Sequence, residues 1–148
     1  MCERSELVSE SRWVNVPDDP MDHFGFVYRI THESGAFYIG KKQFKRRIRR
    51  KPLKGKKRHR IDHVESDWKT YWGSSNLLLE AIEKYGEQQF TREIISLHQS
   101  KSELAMAELK LQLECDVLND PISFNGIIHV RLSKKVGDPI GKAMSDES

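Results

Sequence analysis

Long apolar runs are missing from this sequence. No stretch of about 18 apolar residues occurs, so nothing in it is suited to cross a membrane as a helix. The opening segment, "MCERSELVSESRW", lacks the apolar core of a secretory signal. Cysteine is scarce as well: Cys2 and Cys115 have neither metal-like spacing nor a set of partners. That excludes a disulfide scaffold and a cysteine-built zinc module, and it points to a reducing, cytoplasmic setting. Internal repeats are absent. The most telling absence is local. Residues 41–60, "KKQFKRRIRRKPLKGKKRHR", contain no acid and hold 13 of the 25 Lys and Arg. The rest of the chain carries 12 basic against 22 acidic residues, so a cationic block sits on an acidic body.

Such a block is more than solubility requires. It suits a polyanion, most simply nucleic acid, whose phosphates release counterions when Lys and Arg bind them. A solvated tail or a localisation signal is the plainer alternative, but this block lies inside the chain and not at an end. The candidate nucleic-acid contacts, which a DNA partner would take, are Lys41, Lys42, Arg46, Arg49, Arg50, Lys56, Lys57 and Arg58. At 148 residues the chain has the length of one domain with a modest core.

Ahead of the block, "FGFVYRITH" alternates, with Phe24, Phe26, Tyr28 and Ile30 on one face and Val27 and Arg29 on the other. "ESG" supplies a turn in which Gly35 can take positive φ. "AFYIGKK" returns, so 24–42 reads as a β-hairpin with a tyrosine near the end of each arm. Before it, residues 1–22 read as a polar extension with one short ordered piece around Trp13 and Val14. "FKRRIRR" reads as a short helix ended by Pro52 and Gly55, followed by a connector rich in aromatics over 61–75. Ser74 or Ser75 caps a helix that stops at Gly86, and "QFTREIISL" sets Phe90, Arg92 and Ile94 against Thr91, Glu93 and Ile95 as a strand.

"SKSE" at 100–103 is a capping box for a helix running to about Leu118. Leu104, Ala107, Leu111, Cys115 and Leu118 form its apolar stripe, and Glu108 falls inside it, about 40° from Leu104. A carboxylate there needs an Arg, a set of hydrogen bonds or a metal to compensate it. A second apolar facet, Met106, Leu109, Leu113 and Val117, would instead leave Glu108 on the rim. One carboxylate is too few for a high-affinity cage, but it suits Mg²⁺, which keeps most of its waters and accepts phosphate oxygens. Beyond "NDP", "ISFNGIIHV" reads as a brief strand-like passage, and 131–148 as a polar, flexible tail.

Taken in order, these motifs resemble the GIY-YIG endonuclease superfamily, and within it the phage-type branch that includes homing endonucleases of T-even phages. "GFVY" and "YIG" place Tyr28 and Tyr38 at the two signature tyrosines. "YWGSSNLLLEAIEKYGEQQFTREI", "ELAMAELKLQLECDVL" and "FNG" continue the likeness over roughly 24–127. The first motif is one residue longer than Gly-Ile-Tyr, and residues 51–60 look like an insertion that contacts DNA. The resemblance implies an α+β fold with a three-stranded antiparallel sheet flanked by helices, occupying 23–130. It also implies DNA cleavage with Mg²⁺ or Mn²⁺ held by Glu108. Tyr28 and Tyr38 would project towards one site, with Gly40 letting the chain leave the second strand close to substrate or helix. The catalytic arginine falls on Arg47, with Arg46, Arg49 and Arg50 as alternatives. Lys69, Tyr71 or His63 would fill an accessory position, and Asn125 would tie the C-terminal passage to the sheet. One such site cuts one strand, so double-strand cleavage would take a dimer on DNA, a second visit or nicking alone. The competing readings are a nucleic-acid-binding module with a vestigial site and an interaction protein that grips an acidic partner through the basic block.

Overall fold

A computed structural model of the chain describes residues 13–145. Its strands are β1 (Trp13–Val14), β2 (Gly25–His32), β3 (Phe37–Gln43), β4 (Lys45–Arg50), β5 (Arg60–Glu65) and β6 (Phe90–His98). Its helices are α1 (Asn76–Tyr85), α2 (Lys101–Glu114) and a short exposed α3 (Pro139–Ser145). The main sheet has the order β1-β6-β2-β3, and β4 pairs with β5 in a separate ribbon. The expected α+β class holds, with the three antiparallel strands extended by two residues of β1, which run parallel to β6 at Trp13 and Val14.

β2 is central, and its alternation becomes two cores. Phe26, Tyr28 and Ile30 pack with Trp13, Phe44, Trp68, Leu78, Ile82, Phe90 and Ile94 on one side. Val27 packs with Phe37, Ile39, Leu104 and Val117 on the other. Phe24 precedes the strand and joins the second cluster, not the face that simple alternation gives it. Gly35 makes the hairpin turn at φ +103°. The pairing of β2 with β6 shifts between Val27 and Tyr28, a bulge that leaves Ile95 half exposed while Phe90, Arg92 and Ile94 stay buried.

The helix ends follow their sequence signals. Ser75 Oγ accepts from the Leu78 amide at 3.3 Å, and Gly86 returns its N–H to the Ile82 carbonyl. Ser100 Oγ accepts from the Glu103 amide, while Glu103 Oε1 accepts from the amide of Gln99, both at 3.1 Å. α2 ends at Glu114, earlier than the expected Leu118, which is consequently exposed while Val117 turns into the core.

One expected element is different in kind. "FKRRIRR" is not a helix: residues 45–50 form β4, paired in register with β5 from Lys45↔Glu65 to Arg50↔Arg60. In a helix, five cations in six residues would stack at three- and four-residue spacing and repel. An antiparallel ribbon sends alternate side chains to opposite faces, and its partner supplies Asp62 and Glu65. Part of the expected connector, Arg60–Glu65, is therefore strand. Phe44, fully buried, anchors the ribbon's base through bonds from its amide to Phe24 O and from the Ser66 amide to its carbonyl.

Two polar anchors complete the fold. Arg92 is buried with its guanidinium 4.5 Å from the Trp13 ring centre and 4.2 Å from that of Trp72. It donates to the carbonyls of Tyr71 at 2.6 Å and Lys69 at 3.3 Å, and its burial lowers its pKa to about 10. The second anchor closes the outer edge of β3. The Ile39 amide donates to Asn125 Oδ1 at 3.0 Å, and Asn125 Nδ2 donates to the Ile39 carbonyl at 2.9 Å. Asn125 does tie the C-terminal passage to the sheet, although that passage is irregular apart from one bridge between Phe37 and Ser123. Replacing Asn125 by Ala leaves a buried amide without a partner and should lower stability by about 2–3 kcal/mol. A urea titration checks it, and a loss below a few tenths would show that water replaces the side chain.

Candidate active-site cleft

A cleft of about 590 Å³ opens where the outer end of β3, the base of the ribbon, the 66–75 segment, α2 and the C-terminal passage meet. Its walls include Tyr28, Tyr38 and Tyr71, the cations Lys41, Lys42 and Arg46, and the polar group Glu108, Gln112, Asn125 and His129.

Tyr28 lies opposite Gly40 in the β2–β3 register, and Tyr38 stands two residues before Gly40 on the same strand face. A Cβ on Gly40 would come within 2.5 Å of the Tyr28 hydroxyl, so the glycine is the space in which the Tyr28 ring lies. This corrects the expectation for Gly40. It sits within β3 and makes room for a tyrosine, and does not mark where the chain leaves the strand. The Tyr28 and Tyr38 ring centres are 6.1 Å apart, and Tyr71 meets Tyr28 edge-on at 6.0 Å. Burial raises the Tyr28 pKa well above the usual tyrosine value, with Tyr71, Tyr38 and Glu108 adding to it. Burial likewise raises Tyr38, against a bond with Ser74 that lowers it. Both are neutral phenols at ordinary pH, able to donate or accept a hydrogen bond.

Glu108 faces inward from α2, its side chain 12% exposed, so the rim alternative fails. Lys41 Nζ lies 3.1 Å from Oε1, and Gln112 Nε2 lies 3.4 Å from Oε2. Gln112, buried one turn further along, also donates to the Ile39 carbonyl at 3.1 Å. Sequence reading passed over Gln112, although its i+4 relation to Glu108 on a helix was the available signal. Lys42 pairs with Asp67 at 2.6 Å and sits 4.1 Å above the Tyr71 ring. A hydrogen bond from Lys42 in turn holds the Asp67 carboxyl below the usual range. Among the described residues no cluster of three or more His, Cys, Asp and Glu could form a metal cage.

The other candidates separate clearly. Arg46 lines the cleft, whereas Arg47, expected there in a helical register, is exposed on the opposite face of the ribbon beside His63. Lys69 is exposed and pairs with Glu65 at 3.5 Å, so neither His63 nor Lys69 reaches the cleft; Tyr71 does. Arg49 and Arg50 extend along β4, with Arg50 paired to Asp62, and Lys56, Lys57 and Arg58 are at the ribbon's exposed tip.

A small α+β sheet whose first hairpin brings two tyrosines beside a helix-borne glutamate has the form of a GIY-YIG domain. The chain belongs to that family: residues 8–128 match the family described as "Putative endonuclease segE, GIY-YIG domain". It is also similar to endonuclease segA of Enterobacteria phage T4, 32% identical over 78 residues. That match covers 53% of this chain and 33% of the phage protein, so the chain spans about a third of its relative's length. No solved structure matches it.

The buried phenols contribute an alkaline limb to the pH dependence of stability. A folded-state pKa raised above the unfolded value, about 10 for tyrosine, gives stability that is complete below that pH and lost as pH rises towards the folded pKa. Urea midpoints should therefore hold steady to about pH 9 and fall above about pH 10. Tyr28→Phe should flatten that fall, and the comparison isolates Tyr28 from Arg92, whose lowered pKa acts in the opposite sense. Equal slopes in the two proteins would refute the assignment.

Proposed function

We propose that the protein is a DNA endonuclease that hydrolyses phosphodiester bonds with Mg²⁺ or Mn²⁺. The observation that carries this reading is the meeting, in one cleft, of Tyr28, Tyr38, Tyr71, Arg46 and Glu108. Arg46 stabilises charge on the phosphoryl group in the role expected of Arg47, because strand alternation turns Arg46 towards the site. Tyr28, a neutral phenol, accepts a hydrogen bond from the attacking water and holds it in line with the phosphorus. Tyr38 and Tyr71 donate to phosphate oxygens. Glu108 is the residue that would hold the metal: a hard oxygen donor facing the cleft, one carboxylate among phosphate and water oxygens. Bound there, the ion would stabilise negative charge on the leaving 3′-oxygen. The expected products are a 5′-phosphate and a 3′-hydroxyl.

The relation to a phage endonuclease favours a phage-encoded enzyme working on DNA in the host cytoplasm. Among the described residues no helix is long and apolar enough to cross a membrane. With one site per chain, nicking is the basic event, and a dimer or second visit gives double-strand breaks. A single observation favours the vestigial-site alternative: Lys41 already neutralises Glu108.

Supercoiled plasmid decides between them. Nicking should require a divalent ion, stop in EDTA and disappear in Glu108→Ala. Arg46→Ala should lower kcat by about a hundredfold, while Arg47→Ala changes KM more than kcat. Unchanged plasmid in every lane, with gel shifts intact in wild type and Glu108→Ala, would replace the nuclease reading with the binding module.

A further inference from the structure

The ribbon β4–β5 is a sheet without a core. From Lys45 to Glu65 no residue is buried, and neither strand pairs with the main sheet. A two-stranded hairpin exposed on both faces is marginal in water by itself. Its composition is equally unusual: eleven Lys and Arg stand between 45 and 65 against two acids, Asp62 and Glu65. Register divides the cations between the faces. Arg46, Arg50 and Arg60 share one face, and Lys45, Arg47 and Arg49 share the other.

We infer that this ribbon is a groove-inserting arm that enters the major groove of duplex DNA beside the cleft. An arm lying flat on a polyanion would need cations on one face; an arm between two phosphate walls needs them on both. The major groove, about 12 Å wide, admits a two-stranded β-ribbon in undistorted duplex, whereas the minor groove, about 6 Å wide, must be opened by bending before it takes one. Single strands are gripped largely by stacking on aromatic rings, and the sequence from 45 to 65 contains no Phe, Tyr or Trp. Six paired residues at about 3.3 Å each give an arm of roughly 20 Å, or about six base pairs along the groove. Arg46 at the base lines the cleft, so the arm and the cleft engage one continuous duplex. The inference rests on DNA being the partner, as proposed above, but not on cleavage.

The test measures equilibrium binding by the full chain carrying Glu108→Ala, on a duplex of about three helical turns and on its separated strands. Binding should be at least tenfold tighter to duplex, should be displaced by the major-groove dye methyl green, and should resist the minor-groove ligand netropsin. Arg47→Ser with Arg49→Ser, both on the face away from the cleft, should reduce the log–log salt slope by about 2. Arg47→Lys with Arg49→Lys should restore it, with thermal melts matching the parent to exclude misfolding. Equal affinity for single strands, displacement by netropsin alone, an unchanged slope, or equal binding to polyglutamate would each overturn the arm. A ribbon that behaves as described in a chain that cuts no plasmid would sustain the arm and refute the nuclease. Cleavage with none of these groove signatures would do the reverse.

Discussion

The main-chain groups of one residue, Ile39, hold the site together. β3 is the outer strand of the sheet, so its outward amide and carbonyl would otherwise be open to pairing with another chain. Asn125 takes both, and Gln112 shares the carbonyl. Through this residue the hairpin, the last helix of the core and the C-terminal passage become one body. The same Gln112 amide reaches the Glu108 carboxylate, so closure of a sheet edge also positions the acid of the cleft. Buried amides and carbonyls cost about 1–3 kcal/mol when left unmade, which makes this a constraint and not an ornament.

On the other face of the sheet the organising groups are aromatic. Gly40 leaves the space that Tyr28 fills, and Tyr38 and Tyr71 lean on that ring. Arg92, stacked between Trp13 and Trp72, pins the backbone of the segment that presents Tyr71. A buried cation costs less where its hydrogen bonds are made, and here two carbonyls of that segment accept from the terminal nitrogens, while Nε is buried without a partner. The outcome is a wall of neutral phenols beside Lys41, Lys42 and Arg46, of which Lys41 is paired to Glu108 and Lys42 to Asp67.

The ribbon obeys a different economy. It has no apolar face to bury, and its cations repel one another, so its geometry depends on its anchored base at Phe44 and Ser66. With no buried residue between 45 and 65, little packing supports it beyond that base. The acidic body behind it means that its positive field is local and directed outward.

Much of the fold was written in short-range signals. Ser75 with Gly86 bounded one helix, Ser100 with Glu103 started another, Gly35 marked the turn, and the alternation of β2 and of Phe90, Arg92 and Ile94 foretold strands. Helical period put Glu108 on one of two candidate apolar stripes, and packing chose between them, burying Leu104 and leaving Met106 and Leu113 exposed. What periodicity could not resolve was "KRRIRR", short enough to fit either period, whose strand partner begins ten residues beyond Arg50. That choice turned Arg46 towards the cleft and Arg47 away from it. Gln112 and Arg92 were also invisible as anchors, since their partners are backbone carbonyls 73 and 21–23 residues away. Local chemistry in the chain thus determined most of the elements, their N-terminal caps and the types of residue available to the cleft. Tertiary structure alone decided which of them share a cleft, because that depends on pairings between segments with no sequence mark of each other.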